Sequence, residues 1–233
     1  MDVTPRALLE MQLRTLFRFD PYDRMLTLNE PGTTKAPRFF LGRTQAGNIW
    51  RLRHDLPRDL AKELDLVAAR EPLPYSLEEP ALETYAITHA LRRHNAITQV
   101  YRGPAYAFLG EIPAEDGVRQ LGPEDAALLH PDFVTLAPEL GLRQPCFAVL
   151  ADGCAVSVCF SARTGLEAVE AGVQTVAEYR GRGFATRVTA AFAGAVRARG
   201  LLPLYSTTWE NAASQQVAKH LGLTPYAEDW HLG

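Results

Sequence analysis

Cysteine is scarce in this sequence, with only 3 residues among 233. Cys146, Cys154 and Cys159 are an odd number, and they cluster in apolar sequence that is typical of strands. A disulfide framework needs paired cysteines, so this pattern predicts reduced thiols in a hydrophobic core.

Long hydrophobic runs are also missing. No apolar stretch reaches the roughly 18 residues that a membrane-spanning helix requires. The first residues lack the basic segment and apolar core of a secretory leader. We therefore expect no membrane partner and a cytoplasmic location.

Positive charge is not in excess, since the formal net charge is -3 at pH 7. Nucleic-acid-binding proteins need a basic surface, so no nucleic-acid partner is expected. Apolar residues make up 47% of the chain and charged residues 22%. These are ordinary globular values, which exclude the disordered, collagen-like and coiled-coil classes.

The amino-terminal part of the chain predicts a small α+β domain, which we place at residues 1–104. A helix begins after Thr4, because a threonine cap followed by proline is a helix start signal. Ser76 and Glu79 match a capping box and predict another helix over 77–94. The remaining elements follow from apolar periodicity and are strands at 24–28, 38–42 and 49–53, the last two a hairpin, and a helix through Leu60, Leu64 and Val67.

Residues 105–233 predict an α/β domain. Two apolar runs flank Asp152-Gly153, a sequence typical of a hairpin turn. A strand over 168–176 leads into a glycine-rich turn, and apolar residues then recur at helical spacing up to Gly200. The elements predicted beyond that point are a strand at 202–208, a helix capped by Asn211, and a strand-like tail at 226–232.

The turn Arg180-Gly181-Arg182-Gly183 connects a predicted strand to a predicted helix. Unpaired backbone N–H groups and the positive end of the helix dipole meet there, which favours an anion. The glycines allow close approach of a phosphate, and Arg187 adds further positive charge. The turn matches neither the P-loop nor the dinucleotide fingerprint, which disfavours nucleoside triphosphates and NAD. A solvated turn without a ligand is the alternative interpretation.

The segment from Arg180 to Ala185 resembles the coenzyme A signature of the GNAT superfamily: Arg or Gln, two residues, Gly, one residue, then Gly or Ala. The run from Asn211 to Leu223 is similar to the last helix of that superfamily. The resemblance spans about residues 105–233. It implies a mixed, splayed sheet with flanking helices, acetyl-CoA as co-substrate, and an acetyltransferase.

The same resemblance implies a set of cofactor contacts. They lie at the end of one strand, in the turn and at the start of the last helix, and they are Val173, Thr175, Val176, Arg180, Gly181, Arg182, Gly183, Phe184, Ala185, Asn211 and Ser214. In the superfamily the asparagine faces the pantetheine arm, but a plain helix cap is an equal interpretation of Asn211.

Ala218 departs from the superfamily pattern. Many members carry a tyrosine at this position, which acts as a general acid near the leaving thiol. Any such acid must come from elsewhere in this chain. Tyr205 and Tyr226 are near in sequence, but each is more typical of a half-buried strand tyrosine. Cys159 lacks the low-pKa setting that an acyl-carrying nucleophile needs.

Glu170 is the candidate general base, since an attacking amine must lose a proton. It begins the run 170–176, and strand alternation places it on the face of Gln174, opposite Val173 and Thr175. Its register is about one residue away from the glutamate that many GNAT enzymes use. A solvated glutamate at a strand end is the alternative.

We predict transfer of an acetyl group from acetyl-CoA to an amine, either a small molecule or a peptide, directly in a ternary complex. The alternatives are a catalytically silent acyl-CoA-binding module and an enzyme for another acyl group. Residues 1–104 would help to form the acceptor site, or stabilise the fold or mediate a homodimer. No metal site is predicted, because His89 and His94 do not share a helix face.

Overall fold

A computed structural model describes residues 3–113 and 116–233. In chain order its helices and strands are α1 (Pro5–Leu16), β1 (Phe17–Phe19), β2 (Met25–Leu28), β3 (Phe39–Arg43), β4 (Ile49–Leu52), α2 (Arg58–Ala68), α3 (Thr84–His94), β5 (Val100–Ala107), β6 (Arg119–Leu121), β7 (Cys146–Ala151), β8 (Cys154–Thr164), β9 (Ala168–Thr175), α4 (Phe184–Ala198), β10 (Leu202–Ser206), α5 (Ala212–His220) and β11 (Thr224–Leu232). Short 3-10 helices lie at Pro123–Leu128, Pro131–Phe133, Ala137–Glu139 and Ala177–Tyr179.

The chain divides into two compact units. The first runs up to Ala105 and also includes Ser206–Asn211 and Pro225–Gly233. The second consists of Tyr106–Tyr205 and Ala212–Thr224. Sequence from the far end of the chain therefore completes the first unit.

The first unit contains a sheet in the order β4-β3-β11-β5, beside the separate antiparallel pair β1-β2. The hairpin predicted for β3 and β4 is confirmed. Thr4 caps α1, since its hydroxyl accepts a hydrogen bond from the Ala7 N–H at 3.2 Å. Phe39, Leu41 and Leu64 are fully buried in one hydrophobic core with Trp230 of β11.

The predicted start of α3 is wrong. The helix begins at Thr84, and the Ser76 hydroxyl instead accepts a hydrogen bond from Glu78 N–H in a local turn. Pro80 explains the difference, because proline inside a helix lacks the N–H donor and collides with the carbonyl four residues earlier. The stretch before Thr84 is therefore held as a loop, in which the buried Glu71 carboxylate accepts two backbone N–H bonds.

Gly103 in β5 lies against the segment that follows β10. An added β-carbon would come within 1.9 Å of the Thr207 carbonyl oxygen, and that oxygen belongs to backbone that cannot easily move. We expect Gly103→Ala to lower the free energy of unfolding by about 1–3 kcal/mol. Urea denaturation measures this, with Gly110→Ala as control because a β-carbon there meets no described atom within 4 Å. Equal losses in the two variants would contradict the prediction.

The second unit contains a mixed sheet in the order β10-β9-β8-β7-β6. β10 runs parallel to β9, and the other neighbours are antiparallel. Helices α4 and α5 pack on one face, where Val169, Val188 and Phe192 share a core. The 3-10 helices after β6 pack on the other face, against Val156 and Val158.

Several local predictions in this unit are confirmed. β7 and β8 form the predicted hairpin, in which Asp152 and Gly153 adopt φ of 51° and 81°. Cys146 and Cys159 are buried free thiols, whereas Cys154 is only half-buried. Burial raises the pKa of Cys146 to about 12 and that of Cys159 well above its usual value.

Among the described helices, none is long and apolar enough to cross a membrane.

Candidate cofactor site

The turn between β9 and α4 has a left-handed backbone at both of its glycines. Gly181 and Gly183 have φ of 74° and 75°, a region that side chains rarely adopt. Gly183 precedes the first residue of α4, and no side chain caps the helix. An added β-carbon at either glycine would meet no described atom within 4 Å. The N–H groups of the first helical turn therefore border open space, which suits a phosphate.

Three arginines lie in the turn or in the first turns of α4, and the guanidinium of each donates to a backbone carbonyl, which for Arg187 is that of Asp116. The Arg180 Nε donates to the Thr175 carbonyl at 3.3 Å, and Arg182 Nη2 donates to the Glu178 carbonyl at 3.2 Å. Arg187 lies half-buried in the first turns of α4. Guanidinium groups bind phosphate oxygens in a bidentate manner, so this charge adds to the attraction of the helix dipole.

The edge of β9 that faces β10 is open over its second half. The parallel pairing runs from Leu202 opposite Ala168 to Leu204 opposite Glu170 and ends there among the described residues. β9 continues to Thr175, paired only with β8 on its other side. Unpaired strand edges accept further hydrogen-bond partners. An extended chain with amide groups can pair with this edge, next to the glycine turn.

Of the predicted strand contacts, Val173 and Thr175 lie on this open stretch. The Thr175 hydroxyl is 2.8 Å from the Ser157 hydroxyl, so its side chain already has a partner. Val176 differs, because its side chain is buried and its N–H donates to the Val156 carbonyl at 2.9 Å. Its own carbonyl accepts from the Tyr179 N–H.

Glu170 lies at the point where β9 and β10 separate. It is the third residue of β9 and only 3% exposed, so the interpretation as a solvated strand-end glutamate is wrong. The sequence predicts Glu170 as the first residue of its run, but β9 begins two residues earlier, at Ala168. Glu170 therefore lies inside the strand, and its carboxylate is buried. Val169 and Ala171 pack towards α4, so alternation places Glu170 on the opposite face of the sheet.

Tyr205 follows Leu204, the last residue of β10 that pairs with β9. It is 3% exposed rather than half-buried, and its hydroxyl is 2.5 Å from the Ser214 hydroxyl on the first turn of α5. Burial raises the pKa of Tyr205 to about 12. The phenol therefore keeps its proton at neutral pH. Asn211 is exposed and directly precedes α5.

Residues 145–228 match the family model described as GNAT acetyltransferase. The family match confirms the GNAT resemblance for this part of the chain. Its α/β fold with a mixed sheet and flanking helices confirms the predicted fold class. A search of curated proteins finds no match to the chain.

Two solved structures are among those similar to this chain. A GCN5-related N-acetyltransferase-like protein from Streptococcus suis is 16% identical, with 85% of each chain covered and a TM-score of 0.52. A putative GNAT-family acetyltransferase from Novosphingobium aromaticivorans is 24% identical, with 59% of this chain and 66% of that chain covered and a TM-score of 0.48. At such identities the likeness to the Streptococcus protein supports the fold alone.

Ala218, where the resemblance implies a tyrosine, lies on α5 and is buried at 1% exposure. Ser214 is four residues earlier, so the two share one face of the helix. The Tyr205 hydroxyl reaches that face through Ser214. The sequence alone gives no reason to prefer Tyr205 over Tyr226. The four-residue spacing of Ser214 and Ala218 indicates that both lie on one face of α5. It does not indicate that β10, which carries Tyr205, packs against that face.

The large apolar side chains of β3 and β4, which the sequence predicts to be either acceptor contacts or core residues, lie mainly in the core. Phe39 and Phe40 are fully buried, and Leu52 is 2% exposed. Trp50 is half-buried, and its indole N–H donates to Asp65 at 3.0 Å. Within residues 3–113 and 116–233, no cluster of three or more His, Cys, Asp or Glu side chains could hold a metal ion.

Proposed function

We propose that this protein transfers an acetyl group from acetyl-CoA to an amine, which is a small molecule or a peptide. The observation that carries the proposal is the uncapped, glycine-rich start of α4 beside the open edge of β9. A helix N-terminus with arginines fits a pyrophosphate, and the open edge fits the amide groups of a pantetheine arm. The match of residues 145–228 to the GNAT acetyltransferase family supports acetyl-CoA as the acetyl donor.

The binding roles follow from this geometry. The backbone N–H groups from Gly181 to Ala185 would hold the pyrophosphate, with Arg180 and Arg182 adding charge. Val173 and Thr175 would pair with the pantetheine arm through their backbone groups. Asn211 and Ser214 would approach the same arm from α5. When bound, acetyl-CoA supplies an activated acyl group as a thioester.

Glu170 is assigned as the general base. It would accept a proton from the amine, directly or through one water, as the nitrogen attacks the acetyl carbonyl. A carbon–nitrogen bond forms, the carbon–sulfur bond breaks, and the electron pair of that bond leaves on the sulfur. Its position where β9 and β10 separate, beside the open edge of β9, supports this role.

Tyr205 is assigned as the proton donor to the departing sulfur, in place of the tyrosine absent at position 218. Its phenol is protonated at neutral pH, and its contact with Ser214 gives a path to the first turn of α5. Tyr205→Phe is expected to lower kcat by roughly 10²-fold, the lower end of general acid catalysis. Acetyl-CoA affinity should stay unchanged in calorimetry.

Ser214→Ala tests the path from the Tyr205 phenol. It should lower kcat in the same direction if the proton passes through the Ser214 hydroxyl. The exposed Tyr22→Phe serves as the control for loss of a phenol, since Tyr22 is 86% exposed in the first unit. Tyr205→Phe with an unchanged kcat and alkaline pH profile would show that the phenol is structural.

A catalytically silent acyl-CoA-binding module is the second candidate, and the alanine at position 218 is the observation that favours it. Release of free thiol from acetyl-CoA across a panel of amines separates the two functions. The enzyme predicts amine-dependent release, whereas the silent module predicts binding without release. Repeating the panel with longer acyl-CoA donors tests whether the site prefers another acyl group.

A further inference from the structure

The first unit contains a surface cavity with a strongly basic lining. Its volume is about 270 Å³, and Arg24, Arg53, His54, Arg58 and Lys62 contribute to its wall. No acidic side chain is among the described residues that line it. This concentration of positive charge contrasts with the chain as a whole, whose net charge is -3.

Two of these cations are partly neutralised by neighbours outside the cavity. Arg53 Nε lies 2.6 Å from the Asp55 carboxylate, and Arg24 Nη2 lies 3.5 Å from that of Asp65. The Arg53 guanidinium also donates to a backbone carbonyl at 3.0 Å. These contacts fix the guanidinium groups in position, so part of the wall is pre-ordered for a ligand.

Arg58 and Lys62 have no such compensation. Neither makes an ion pair within the described part of the chain. They are four residues apart on α2, where like charges repel, and Arg58 is the first residue of the helix, where the dipole disfavours a cation. Pro57 precedes the helix and gives no side-chain cap. An anion between the two side chains would remove both unfavourable terms.

The cavity also has an apolar part, formed by Leu56 and Ala61. We infer that it binds a small phosphorylated organic molecule, with the phosphate held by Arg58, Lys62 and the start of α2 and the organic part against the apolar residues. Phosphate suits this site because guanidinium forks and uncapped N–H groups both match its oxygens. The inference is independent of the acetyltransferase proposal, since it uses no residue of the glycine turn.

Calorimetric titration of the full chain with phenyl phosphate and with inorganic phosphate, at matched ionic strength, tests the inference. Phenyl phosphate should bind more tightly than inorganic phosphate because it also covers the apolar part. The double variant Arg58→Gln, Lys62→Gln should weaken phenyl phosphate binding by about tenfold or more. A matched variant, Arg92→Gln, Lys219→Gln, removes the same charge from exposed positions elsewhere and should bind like the unmodified protein.

Three results would overturn the site. The unmodified protein could show no binding, or both double variants could lose affinity equally, which would indicate net charge alone. The Arg58, Lys62 variant could also bind normally, which would place the phosphate at another site such as the glycine turn. Thermal melts of both double variants without ligand show whether they are folded. If the Arg58→Gln, Lys62→Gln variant is unfolded, the single variant Arg58→Gln takes its place.

Discussion

Glu170→Gln is expected to lower kcat by roughly 10²–10⁴-fold, the range of general base catalysis, with little change in the affinity for acetyl-CoA. Glutamine keeps the size of the buried side chain but cannot accept the proton of the amine. The acidic limb of the pH–rate profile reports the protonation of the general base. If Glu170 is that base, this limb should disappear in the variant. Steady-state kinetics over a pH series and calorimetry with acetyl-CoA give the two readouts.

Glu167→Gln is the matched control for that experiment. Glu167 is an exposed glutamate three residues earlier, so its replacement changes the charge equally without touching the interior. Its kcat should remain normal. A Glu170→Gln protein that melts normally and keeps its turnover and pH profile would make Glu170 a structural residue, and a water chain or another group would be the base.

Gly183→Glu is expected to weaken acetyl-CoA binding by roughly 100-fold or more, because it puts a negative charge where several charge-assisted phosphate contacts form. Its φ of 75° also strains any side chain at this position, at about 1–2 kcal/mol. Calorimetric titration measures the change in affinity. Circular dichroism before the titration shows that the variant is folded.

Gly194→Glu provides the control on the same helix. Gly194 is exposed in α4, its φ is ordinary, and an added β-carbon meets no described atom within 4 Å. This variant should bind acetyl-CoA normally. Similar affinities for the two variants would remove the glycine turn as the pyrophosphate site.

Elements marked by local chemistry could be predicted from the sequence. Thr4 with its following proline, and the Asp152-Gly153 turn, set the chain direction by hydrogen bonds and dihedral angles within a few residues. The predicted start of α3 was wrong for a local reason as well, because the capping-box match was given more weight than Pro80. A proline four residues after the supposed cap opposes a continuous helix.

The partner of β11 could not be predicted in the same way. Its apolar residues indicate a strand, but they do not encode which strand it pairs with. In the structure Trp230 lies opposite Leu41 of β3, far away in sequence. A deletion of residues 1–100 would remove that partner and expose buried residues of β11. Such a truncation is therefore a poor test of what the amino-terminal part contributes.

The candidate site likewise has local features, which the sequence predicts, and long-range features, which it does not. The glycine turn is a local feature, so its place between β9 and the uncapped start of α4 could be predicted from the sequence. The burial of Glu170 and the contact of Tyr205 with Ser214 depend on where β9 and β10 separate and on how α5 packs. Those are long-range properties, and a single sequence does not give the register of parallel strands.

The most direct test of acetyl transfer uses acetyl-CoA with an isotopically labelled acetyl group. The protein is incubated with this donor and an amine panel, and mass spectrometry follows both the amines and the free coenzyme. The account predicts a labelled amide on at least one amine, formed in equal amount with free thiol and lost in Gly183→Glu. Binding of acetyl-CoA without any labelled product, across small amines and peptides alike, would contradict it.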